Sequence, residues 1–428
     1  MTRELLVHIG QVQVGTLSEN QGIWSFTYTP DWAANGFDLA PGIPRVEVTI
    51  LDTGTNRPVQ WFFDNLLPED DARDLLVASA KLPSADAWSL LELYGAESAG
   101  AIMLLPPGVQ QQPASLRALT DEQLLARIKA LPRQALTALA PKRMSLAGAQ
   151  QKLAIVLMHD GRMFEPEGAS ASTHILKPDS TSDFYLHSAI NEWFCARVAQ
   201  EVGLPVPAVF LRYVPATVYI IERFDRKTIG DAVERLHVLD ATQLLSLAAG
   251  MKFSENGLDA LTRVVGLCRA KGPTRLAIFR WVVFNLLIGN NDAHLKNLSV
   301  FAGKDGYSLT PHYDLVSTSA WATPERLGAG ENAWPEVPLS FPIGSATRFS
   351  EVTLADVIAF AKAMGIPQAT AHRYLDRMVE AIIPAAKTVQ AEFEARTDVP
   401  ADVRAGEIRM LLSIRHLPMS TMVAKLRG

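Results

Sequence analysis

Hydrophobic residues recur at helical spacing in the segment that ends near residue 288. The apolar positions are Leu276, Phe279, Val283, Leu286 and Leu287. This repeat places them on one face, so the segment is predicted to form a buried helix. Gly289 and Asn290 follow, and both residue types tolerate the left-handed backbone that ends a helix. The helix is therefore expected to end there and to position the polar residues that come next.

A polar loop and a predicted hairpin follow this helix. Residues 298–301 are apolar, residues 303–306 have the turn sequence Gly-Lys-Asp-Gly, and an acid returns at Asp314 after the second strand. Strand residues on both sides of such a turn indicate a β-hairpin. This arrangement would bring Asp292, Asn297 and Asp314 to one place.

These three side chains match what phosphoryl transfer requires. That chemistry needs a carboxylate that orients the attacking hydroxyl and hard oxygen ligands that hold Mg²⁺ on the nucleotide phosphates. Asp292 and Asn297 have the D-x4-N spacing of a kinase catalytic loop, and Asp314 takes the position of the second metal ligand. A polar loop that only caps the helix would also contain Asn and Asp. The spacing alone leaves that plainer interpretation open.

A different hypothesis makes this cluster a transition-metal site of a hydrolase. His294 and His312 would then join Asp292 and Asp314 as ligands. The sequence has neither an H-E-x-x-H motif nor a Cys/His pair at metal-binding spacing, and the two carboxylates have another use in a kinase. Phosphoryl transfer is therefore the favoured hypothesis.

The N-terminal part of the chain predicts a small sheet without catalytic residues. The predicted strands are 5–9, 11–17 and 23–28. Aromatic residues alternate along the third strand, as they do in a sheet with one buried face. A dense aromatic segment follows at 61–69, and packing in the core explains it better than a ligand site. It leads into a predicted helix over 70–80.

The chain changes character after this module. Residues 106–113 are rich in Pro, Gly and Gln and form the first candidate linker. Thr120 and Gln123 then form a capping box at the start of a helix that ends before Pro132. The predicted domains are an N-terminal β-rich subdomain at 1–140, a small nucleotide-binding lobe at 141–226 and an all-helical C-terminal lobe at 227–428. The fold class expected from this division is α+β and bilobal.

The predicted small lobe opens with a loop of small residues. Residues 145–152 have the sequence SLAGAQQK and precede a strand over 153–157. Such a loop can bring backbone N–H groups close to phosphates, although ordinary turns share its composition. Lys177 ends the next strand, where a kinase-like lobe contacts the nucleotide phosphates. Glu192, in an amphipathic helix over 188–202, could pair with Lys177 or could be a solvated first-turn acid.

The lobe is predicted to end at a hinge. Strands over 206–212 and 218–223 are apolar, and the second turns polar at Glu222 and Arg223. A bilobal kinase would place its hinge here, where the backbone of Glu222, Arg223 and Phe224 would meet adenine. Later helices are expected over 350–364 and 369–393, the second interrupted near Pro384. The stretch 320–349 is expected to be loop-rich.

Composition narrows the class of protein. The 428 residues carry a formal net charge of -5 with 48% hydrophobic residues, which indicates a globular chain that does not bind nucleic acid by charge alone. The two cysteines, Cys195 and Cys268, fall in apolar helical contexts and are expected to be reduced core residues. The sequence has no hydrophobic signal core and no 18-residue apolar run. A cytoplasmic protein without membrane contact is expected.

Several short segments occur in the order found in one known family. They are FFDNLLP at 62–68, SLAGAQQK at 145–152, THILKP at 173–178, NEWFCARVAQEVGL at 191–204, ERFDR at 222–226, NNDAHLKN at 290–297 and YDLVS at 313–317. Through them the chain resembles, over nearly its whole length, the HipA-type serine/threonine kinase toxins of bacterial type II toxin–antitoxin systems. The resemblance fades over 320–349. Asn-Asn-Asp-Ala-His replaces the His-Arg-Asp of eukaryotic kinases, as expected for this family.

The resemblance implies roles for named residues. Asp292 would be the catalytic base, Asn297 and Asp314 would hold Mg²⁺, and Ser145 would be an autophosphorylation site that silences the enzyme. Lys177 would bind the ATP phosphates, with Glu192 as its supporting ion-pair partner. The remaining implied ATP contacts are Ala147, Gly148, Ala149, Gln150, Lys152, Glu222, Arg223, Phe224, His294 and Lys296.

The resemblance also implies partners. The family's toxins are held inactive by HipB, a small helix-turn-helix antitoxin, and the pair represses its own operon on DNA. The implied substrate is an aminoacyl-tRNA synthetase, with glutamyl-tRNA synthetase the first expectation. Two other functions stay open: a phosphotransferase that acts on a small molecule, and a catalytically weak corepressor. The N-terminal module argues against the first, and the intact Lys177, Asp292, Asn297 and Asp314 argue against the second.

Overall fold

The structure is a computed structural model that describes residues 2–82, 86–142, 146–148, 150–230, 232–323 and 333–427. Helices and strands are mixed along the chain, with a sheet-rich N-terminal region and a mainly helical C-terminal part. The α+β class predicted from the sequence is confirmed. A deep cleft separates the second sheet from the helical part.

The N-terminal region is built on an antiparallel sheet whose described strands lie in the order β4-β3-β2-β1-β5. Its strands are β1 (Arg3–Ile9), β2 (Val12–Asn20), β3 (Ile23–Tyr28), β4 (Thr49–Leu51) and β5 (Ile102–Leu105). Its helices are α1 (Pro30–Asn35), α2 (Pro58–Asp64), α3 (Asp70–Ala80) and α4 (Ala87–Tyr94). Trp24, Phe26 and Tyr28 alternate inward from β3 and are buried with Phe62 and Phe63 of α2. The aromatic segment therefore packs in the core, as predicted.

A second antiparallel sheet forms one wall of the cleft, with its described strands in the order β10-β11-β9-β7-β8-β6. They are β6 (Ser115–Ala118), β7 (Leu153–Leu157), β8 (Met163–Glu167), β9 (His174–Pro178), β10 (Val209–Arg212) and β11 (Val218–Glu222). Helix α5 (Asp121–Ala130) begins with the predicted capping box and packs on this sheet through Leu124. β6 and α5 precede residue 140, so we propose that the boundary between the two units lies near 106–114.

Helix α6 (Ser188–Glu201) lies behind the second sheet. It was predicted to be amphipathic, but it is buried on nearly every face between Ser188 and Ala199. The reason is that it packs against β10 and β11 on one side and against two C-terminal helices on the other. Polar side chains on this helix, among them Asn191 and Glu192, are consequently held in fixed positions.

The C-terminal part is mainly helical and also carries small sheets. Its helices are α7 (Ala241–Leu244), α8 (Leu258–Leu267), α9 (Lys271–Ile288), α10 (Leu354–Ala363), α11 (Gln368–Glu394), α12 (Ala401–Ile414) and α13 (Ser420–Leu426). Its strands are β12 (Arg226–Ile229), β13 (Ala232–Arg235), β14 (Val238–Asp240), β15 (Ser299–Gly303), β16 (Gly306–Leu309), β17 (Pro338–Ile343) and β18 (Ala346–Arg348). The predicted hairpin after α9 is formed by β15 and β16.

One prediction for this part was wrong. Helix α11 is not interrupted at Pro384 but runs through it, because Ile382 and Ala386 on either side are buried in the core and hold the helix. The stretch 320–349, which was predicted to be loop-rich, also contains the pair of short strands β17 and β18. Residues 324–332 of that stretch lie outside the described residues.

The N-terminal sheet and the helical part share one apolar core. Phe26 and Phe63 from the first region belong to the same buried cluster as Phe279 and Phe284 from α9. Cys195 and Cys268 are buried and free, as predicted. None of the helices in the described ranges is long and apolar enough to cross a bilayer. The N-terminal region is thus packed against the C-terminal helical part through a shared core.

Candidate active site

The end of α9 positions the polar loop. Gly289 adopts the left-handed conformation at φ +66°, which ends the helix where the sequence predicted. The Asn290 side chain donates to Asn285 Oδ1 at 2.8 Å and accepts from the Asp292 N–H at 3.0 Å. Because Asn290 is buried, these bonds fix the turn that places Asp292 at the cleft.

Asp292 and Asn297 lie together, as the D-x4-N spacing predicted. Asn297 Nδ2 donates to the Asp292 carbonyl oxygen at 2.8 Å, so the amide spans the loop. The Asp292 side chain is 53% exposed at the cleft. Partial burial of the Asp292 carboxyl, followed by the nearby charge of Asp314, raises its pKa to about 7. A base with such a pKa suits proton transfer near neutral pH.

The hairpin of β15 and β16 returns the chain to the same place. The Tyr313 hydroxyl donates to the Lys296 carbonyl oxygen at 2.7 Å and ties the returning segment to the loop. Asp314 has φ +56°, a left-handed conformation that costs energy in a residue with a side chain. Such strain is common at functional sites, and here it directs the Asp314 carboxylate toward the second sheet.

Lys177 joins the sheet, the buried helix and the returning acid. Its Nζ lies 2.7 Å from Glu192 Oε1 and 2.7 Å from Asp314 Oδ1. Burial alone would lower the pKa of Lys177, but Asp314 and Glu192 raise it, so the ammonium stays charged. Burial would raise the pKa of Asp314, but the Lys177 ammonium lowers it to about 2. The predicted pairing of Lys177 with Glu192 is present.

The described residues of the small-residue loop line the cleft. Lys152 Nζ donates to the Ala147 carbonyl oxygen at 2.5 Å, and Gly148 has φ +102°. Gly148 also pairs with Pro68 of the N-terminal region, and Gln150 lines the cleft. Ser145 and Ala149, both predicted site residues, lie outside the described residues.

The hinge lies where β11 ends. The N–H groups of Glu222 and Arg223 donate at 2.9 Å to the carbonyl oxygens of Ala208 and Thr173, so both serve the sheet. The Phe224 ring packs 5.4 Å from the Tyr313 ring and lines the cleft. The Arg223 side chain turns away and is buried in a bidentate pair with Asp225. Residues 222 to 224 thus line the cleft, but the N–H groups of Glu222 and Arg223 are bound within the sheet and the Arg223 side chain is structural.

Two of the predicted ATP contacts, Lys296 and His294, are buried among other protein groups. Lys296 is 4% exposed and bonds Asp240 Oδ2 at 2.9 Å and Asn65 Oδ1 at 2.8 Å, with Glu69 Oε1 at 3.3 Å. Its ammonium protons are thus all directed at protein oxygens, which makes Lys296 a brace of the loop in this arrangement. Burial, followed by the Lys252 charge, lowers the pKa of His294 to about 4 and leaves the ring neutral.

Sequence reasoning missed three residues at this site: Asn65, Glu69 and Lys252. Asn65 and Glu69 come from the N-terminal region that was predicted to hold no catalytic residues, yet both line the cleft. Asn65 bonds Lys296, and Glu69 pairs with Lys252 and Lys296. The signal that could have found Asn65 is a polar residue that follows Asp64 within a run of aromatic and aliphatic residues. The structure buries it to 2% exposure.

One cleft collects the predicted residues. It has a volume of about 1530 Å³, and every predicted site residue that the structure describes lines it. The donor set fits ATP and Mg²⁺. Burial and the Lys177 charge lower the pKa of Lys152 to about 8. A phosphate bound between the two lysines would relieve the repulsion between their charges. His294 Nδ1 is buried and has no partner among the described residues, so it could bind a ligand. Asn297 and Asp314 supply the hard oxygens that Mg²⁺ prefers.

The hydrolase hypothesis finds no such support. His312 stacks on Trp281 with ring centroids 6.5 Å apart, and burial lowers its pKa to about 4. In the part of the chain that the structure describes, no three His, Cys, Asp or Glu side chains are placed to hold a metal ion. Mg²⁺ bound between ATP and two protein side chains needs no such triad.

Comparisons with known proteins agree with the geometry. Residues 144–386 match the model of the HipA-like C-terminal domain, and residues 5–105 match that of the HipA N-terminal domain. The serine/threonine-protein kinase toxin HipA of Shewanella oneidensis is 33% identical over 75% of this chain and 76% of its own length. The protein Y4mE of Sinorhizobium fredii is 30% identical over 93% of this chain and 96% of its own.

A solved structure extends the similarity to the whole fold. It contains Shewanella oneidensis HipA in complex with HipB and its operator DNA. The fold of this chain matches it with a TM-score of 0.79 and 26% sequence identity, over 99% of each chain. The similarity therefore covers the N-terminal region, both walls of the cleft and the C-terminal helices.

Proposed function

The chain belongs to the HipA family, and from this premise we propose that it is an ATP- and Mg²⁺-dependent serine/threonine protein kinase that acts as the toxin of a toxin–antitoxin pair. The observation that carries the proposal is the position of Lys177, bound by both Glu192 and Asp314 in the cleft that also holds Asp292 and Asn297. A phosphate-binding lysine, a base and two magnesium ligands are the parts that phosphoryl transfer needs.

Each of these residues has a separate role in the proposed reaction. Asp292 accepts the proton of the substrate hydroxyl, and the Asn297 amide fixes the loop that carries it. Asn297 and Asp314 would hold Mg²⁺, which would supply positive charge at the nucleotide phosphates. Lys177 and Lys152 meet those phosphates from the second sheet. Adenine lies against the backbone of residues 222–224, with Phe224 at its edge.

We also infer that phosphorylation of Ser145 silences the kinase. A phosphate there carries close to two negative charges, only two residues from Ala147, whose carbonyl holds Lys152. It would compete with the phosphates of ATP for the same lysines. Gly148 of this loop pairs with Pro68 of the N-terminal region, and displacement of the loop would break that contact. Repulsion and displacement of the loop both weaken nucleotide binding.

The partners follow from the relative of known structure. Because Shewanella HipA forms a complex with HipB and operator DNA, we propose that this chain binds a helix-turn-helix antitoxin and co-represses its own operon. A net charge of -5 favours DNA contacts made chiefly by the antitoxin. The proposed substrate is an aminoacyl-tRNA synthetase in the cytoplasm, glutamyl-tRNA synthetase first, whose phosphorylation would arrest translation.

The test is transfer of label from ATP to protein. Purified wild type, Asp292→Ala and Ser145→Ala are incubated in a bacterial lysate with Mg²⁺ and ATP that carries a radiolabelled γ-phosphate. Labelled bands are identified by mass spectrometry. Asp305→Ala, in the exposed turn between β15 and β16, is the matched control for loss of a carboxylate.

Label on Ser145 and on one dominant lysate protein, absent with Asp292→Ala and retained with Asp305→Ala, is the expected result. Transfer to a protein other than a synthetase would support the proposed kinase activity and contradict the proposed substrate. If Ser145→Ala binds ATP but labels no protein, the protein-kinase proposal is wrong. The chain would then be a phosphotransferase that acts on a small molecule, or a corepressor without catalytic activity. A corepressor would lose nothing with Asp292→Ala, whereas the toxin would lose toxicity and keep antitoxin binding.

A further inference from the structure

The segment before α8 packs along the whole catalytic loop. The Lys252 carbonyl oxygen accepts from the Leu295 N–H at 3.3 Å, and Asn256 Nδ2 donates to the Ala293 carbonyl oxygen at 3.0 Å. The Phe253 ring meets the His294 ring edge-on with centroids 4.9 Å apart. Three successive contacts therefore fix this segment relative to Asp292.

The Lys252 side chain lies within the cleft. It is 15% exposed, and its ammonium forms a short bond with Glu69 Oε2 and lies 3.8 Å from Asp70 Oδ2. Glu69 belongs to the N-terminal region, and its carboxylate is shared with Lys296. Lys252 is thus held by an acid from the N-terminal region, and the bonds from its segment to Ala293 and Leu295 place it next to the loop that carries Asp292.

The same arrangement holds Lys177. That lysine rests on Asp314, a proposed magnesium ligand, and can exchange this partner for a phosphate when nucleotide and metal bind. Lys252 rests on Glu69 in the same manner. Both ammonium groups are therefore held by carboxylates at the wall of one cleft, Lys177 on the nucleotide side and Lys252 beside the base.

The other cations at this cleft are committed elsewhere. Within the described ranges, the remaining basic residues of the lining are Lys152, Arg223, His294 and Lys296. Lys152 belongs to the phosphate loop, and Arg223 is buried in its pair with Asp225. His294 is neutral, and Lys296 is enclosed by protein oxygens. Lys252 is the cation that remains for the acceptor side.

We propose that Lys252 is a further catalytic residue, whose ammonium leaves Glu69 and neutralises the phosphoryl group during its transfer beside Asp292. Glu69 is the positioning residue that holds this ammonium before the reaction. The proposal rests on the proposed kinase function. Negative charge on the transferred group is best stabilised by cations fixed on more than one side, and Lys177 supplies only the nucleotide side.

The reaction has a simple balance. The serine oxygen forms a bond to the γ-phosphorus, and the bond from that phosphorus to the β,γ-bridging oxygen breaks. The electron pair of the broken bond leaves with ADP, and the hydroxyl proton goes to Asp292. Lys252 keeps its own protons throughout and contributes only its charge, so it is needed in the transition state more than for ATP binding.

The test separates turnover from binding. Wild type, Lys252→Met, Lys252→Arg and Glu69→Gln are compared for label transferred to the major lysate band over a range of ATP concentrations. A fluorescent ATP analogue gives the Kd for nucleotide, and melting temperature reports stability. Lys304→Met, at the exposed hairpin turn, is the matched control for loss of an ammonium.

Lys252→Met is expected to lower kcat by about 100-fold and to leave the Kd for the ATP analogue nearly unchanged. Lys252→Arg keeps the charge and should restore much of the rate. Glu69→Gln releases Lys252 and should lower kcat far less than Lys252→Met. If Lys252→Met does not fold, Lys252→Gln, which keeps a donor for Glu69 but no charge, replaces it.

Equal losses of kcat and melting temperature in Lys252→Met and Glu69→Gln would overturn the proposal, because Lys252 would then be only half of a structural ion pair. An unchanged kcat in Lys252→Met would overturn it as well. An inactive wild type is a separate result, since it contradicts the proposed kinase function itself and not the role of one lysine.

Discussion

Lys177 Nζ lies 2.7 Å from Glu192 Oε1, with both side chains almost excluded from solvent. The pair links β9 to α6, and its second bond to Asp314 carries the link across the cleft to the C-terminal part. One ammonium therefore couples the sheet, the buried helix and the strained residue after the hairpin. Stability and nucleotide binding should both depend on it.

Glu192→Ala is expected to destabilise the protein. Removal of one partner of a buried ion pair leaves the other charge insufficiently compensated, which costs about 3 kcal/mol of unfolding free energy. Urea unfolding followed by tryptophan fluorescence measures this loss. Glu201→Ala, on the exposed end of the same helix, removes an equal charge and should cost less than about 0.5 kcal/mol. Similar losses in the two variants would show that Glu192 is not a structural partner of Lys177.

Asp314→Asn should remove activity while the fold persists. The substitution keeps the size of the side chain but weakens both the proposed magnesium ligand and the partner of Lys177. We expect label transfer to fall by about 100-fold or more, with excess Mg²⁺ restoring part of it. Asp305→Asn in the exposed turn of the same hairpin is the control. Full activity of Asp314→Asn at low Mg²⁺ would remove Asp314 from the metal site.

The catalytic loop was predictable because its signals are local. The helical repeat before Gly289, the D-x4-N spacing and the turn sequence before Asp314 all fall within one stretch of chain, and the structure places them as predicted. The contribution of Glu69 was not predictable in this way. It meets Lys252 across 183 positions of sequence, and no pattern within either segment indicates the other.

Burial explains the other differences between the sequence-based predictions and the structure. Lys296 falls within the catalytic-loop motif and was therefore predicted to bind ATP, but its ammonium is enclosed by Asp240, Asn65 and Glu69. Pro384 carries a local signal against a helix, but packing of the residues around it outweighs that signal. In each case contacts between distant segments decide the outcome.

Gly148→Ala should weaken ATP binding more than it weakens the fold. A Cβ at Gly148 would come 2.6 Å from Lys152 Nζ, and φ +102° strains any residue with a side chain. The strain costs about 1–2 kcal/mol of stability. Displacement of Lys152 should in addition raise the Kd for ATP about tenfold. Titration with a fluorescent ATP analogue measures this change.

Gly161→Ala is the matched control for Gly148→Ala. Gly161 also has a positive φ, at +83°, but a Cβ there would meet nothing within 4 Å. It should lose similar stability and keep its affinity for ATP. An equal loss of affinity in both variants would mean that backbone strain, and not the position of Lys152, accounts for the effect.

A buried acid, Glu407, connects the small lobe to a C-terminal helix. The Tyr213 hydroxyl, just after β10, donates to Glu407 Oε2 of α12 at 2.7 Å. Burial, opposed by the Tyr213 hydrogen bond and reinforced by the charge of Asp179, raises the pKa of Glu407 from 4.5 to about 7. Its Oε1 has no hydrogen-bond partner among the residues that the structure describes. A neutral carboxyl fits this position better than a carboxylate.

The sign of the pH dependence follows from proton binding. Between pH 4.5 and about 7 the folded chain keeps the Glu407 proton and the unfolded chain has released it, so stability falls as pH rises through this window. The shift corresponds to about 3 kcal/mol. Glu407→Gln resembles the protonated form and should lack this part of the fall. Unfolding free energies of wild type, Glu407→Gln and Glu234→Gln, an exposed control on β13, are measured from pH 4 to pH 8. Parallel curves for wild type and Glu407→Gln would show that the pKa of Glu407 is the same in the folded and unfolded protein.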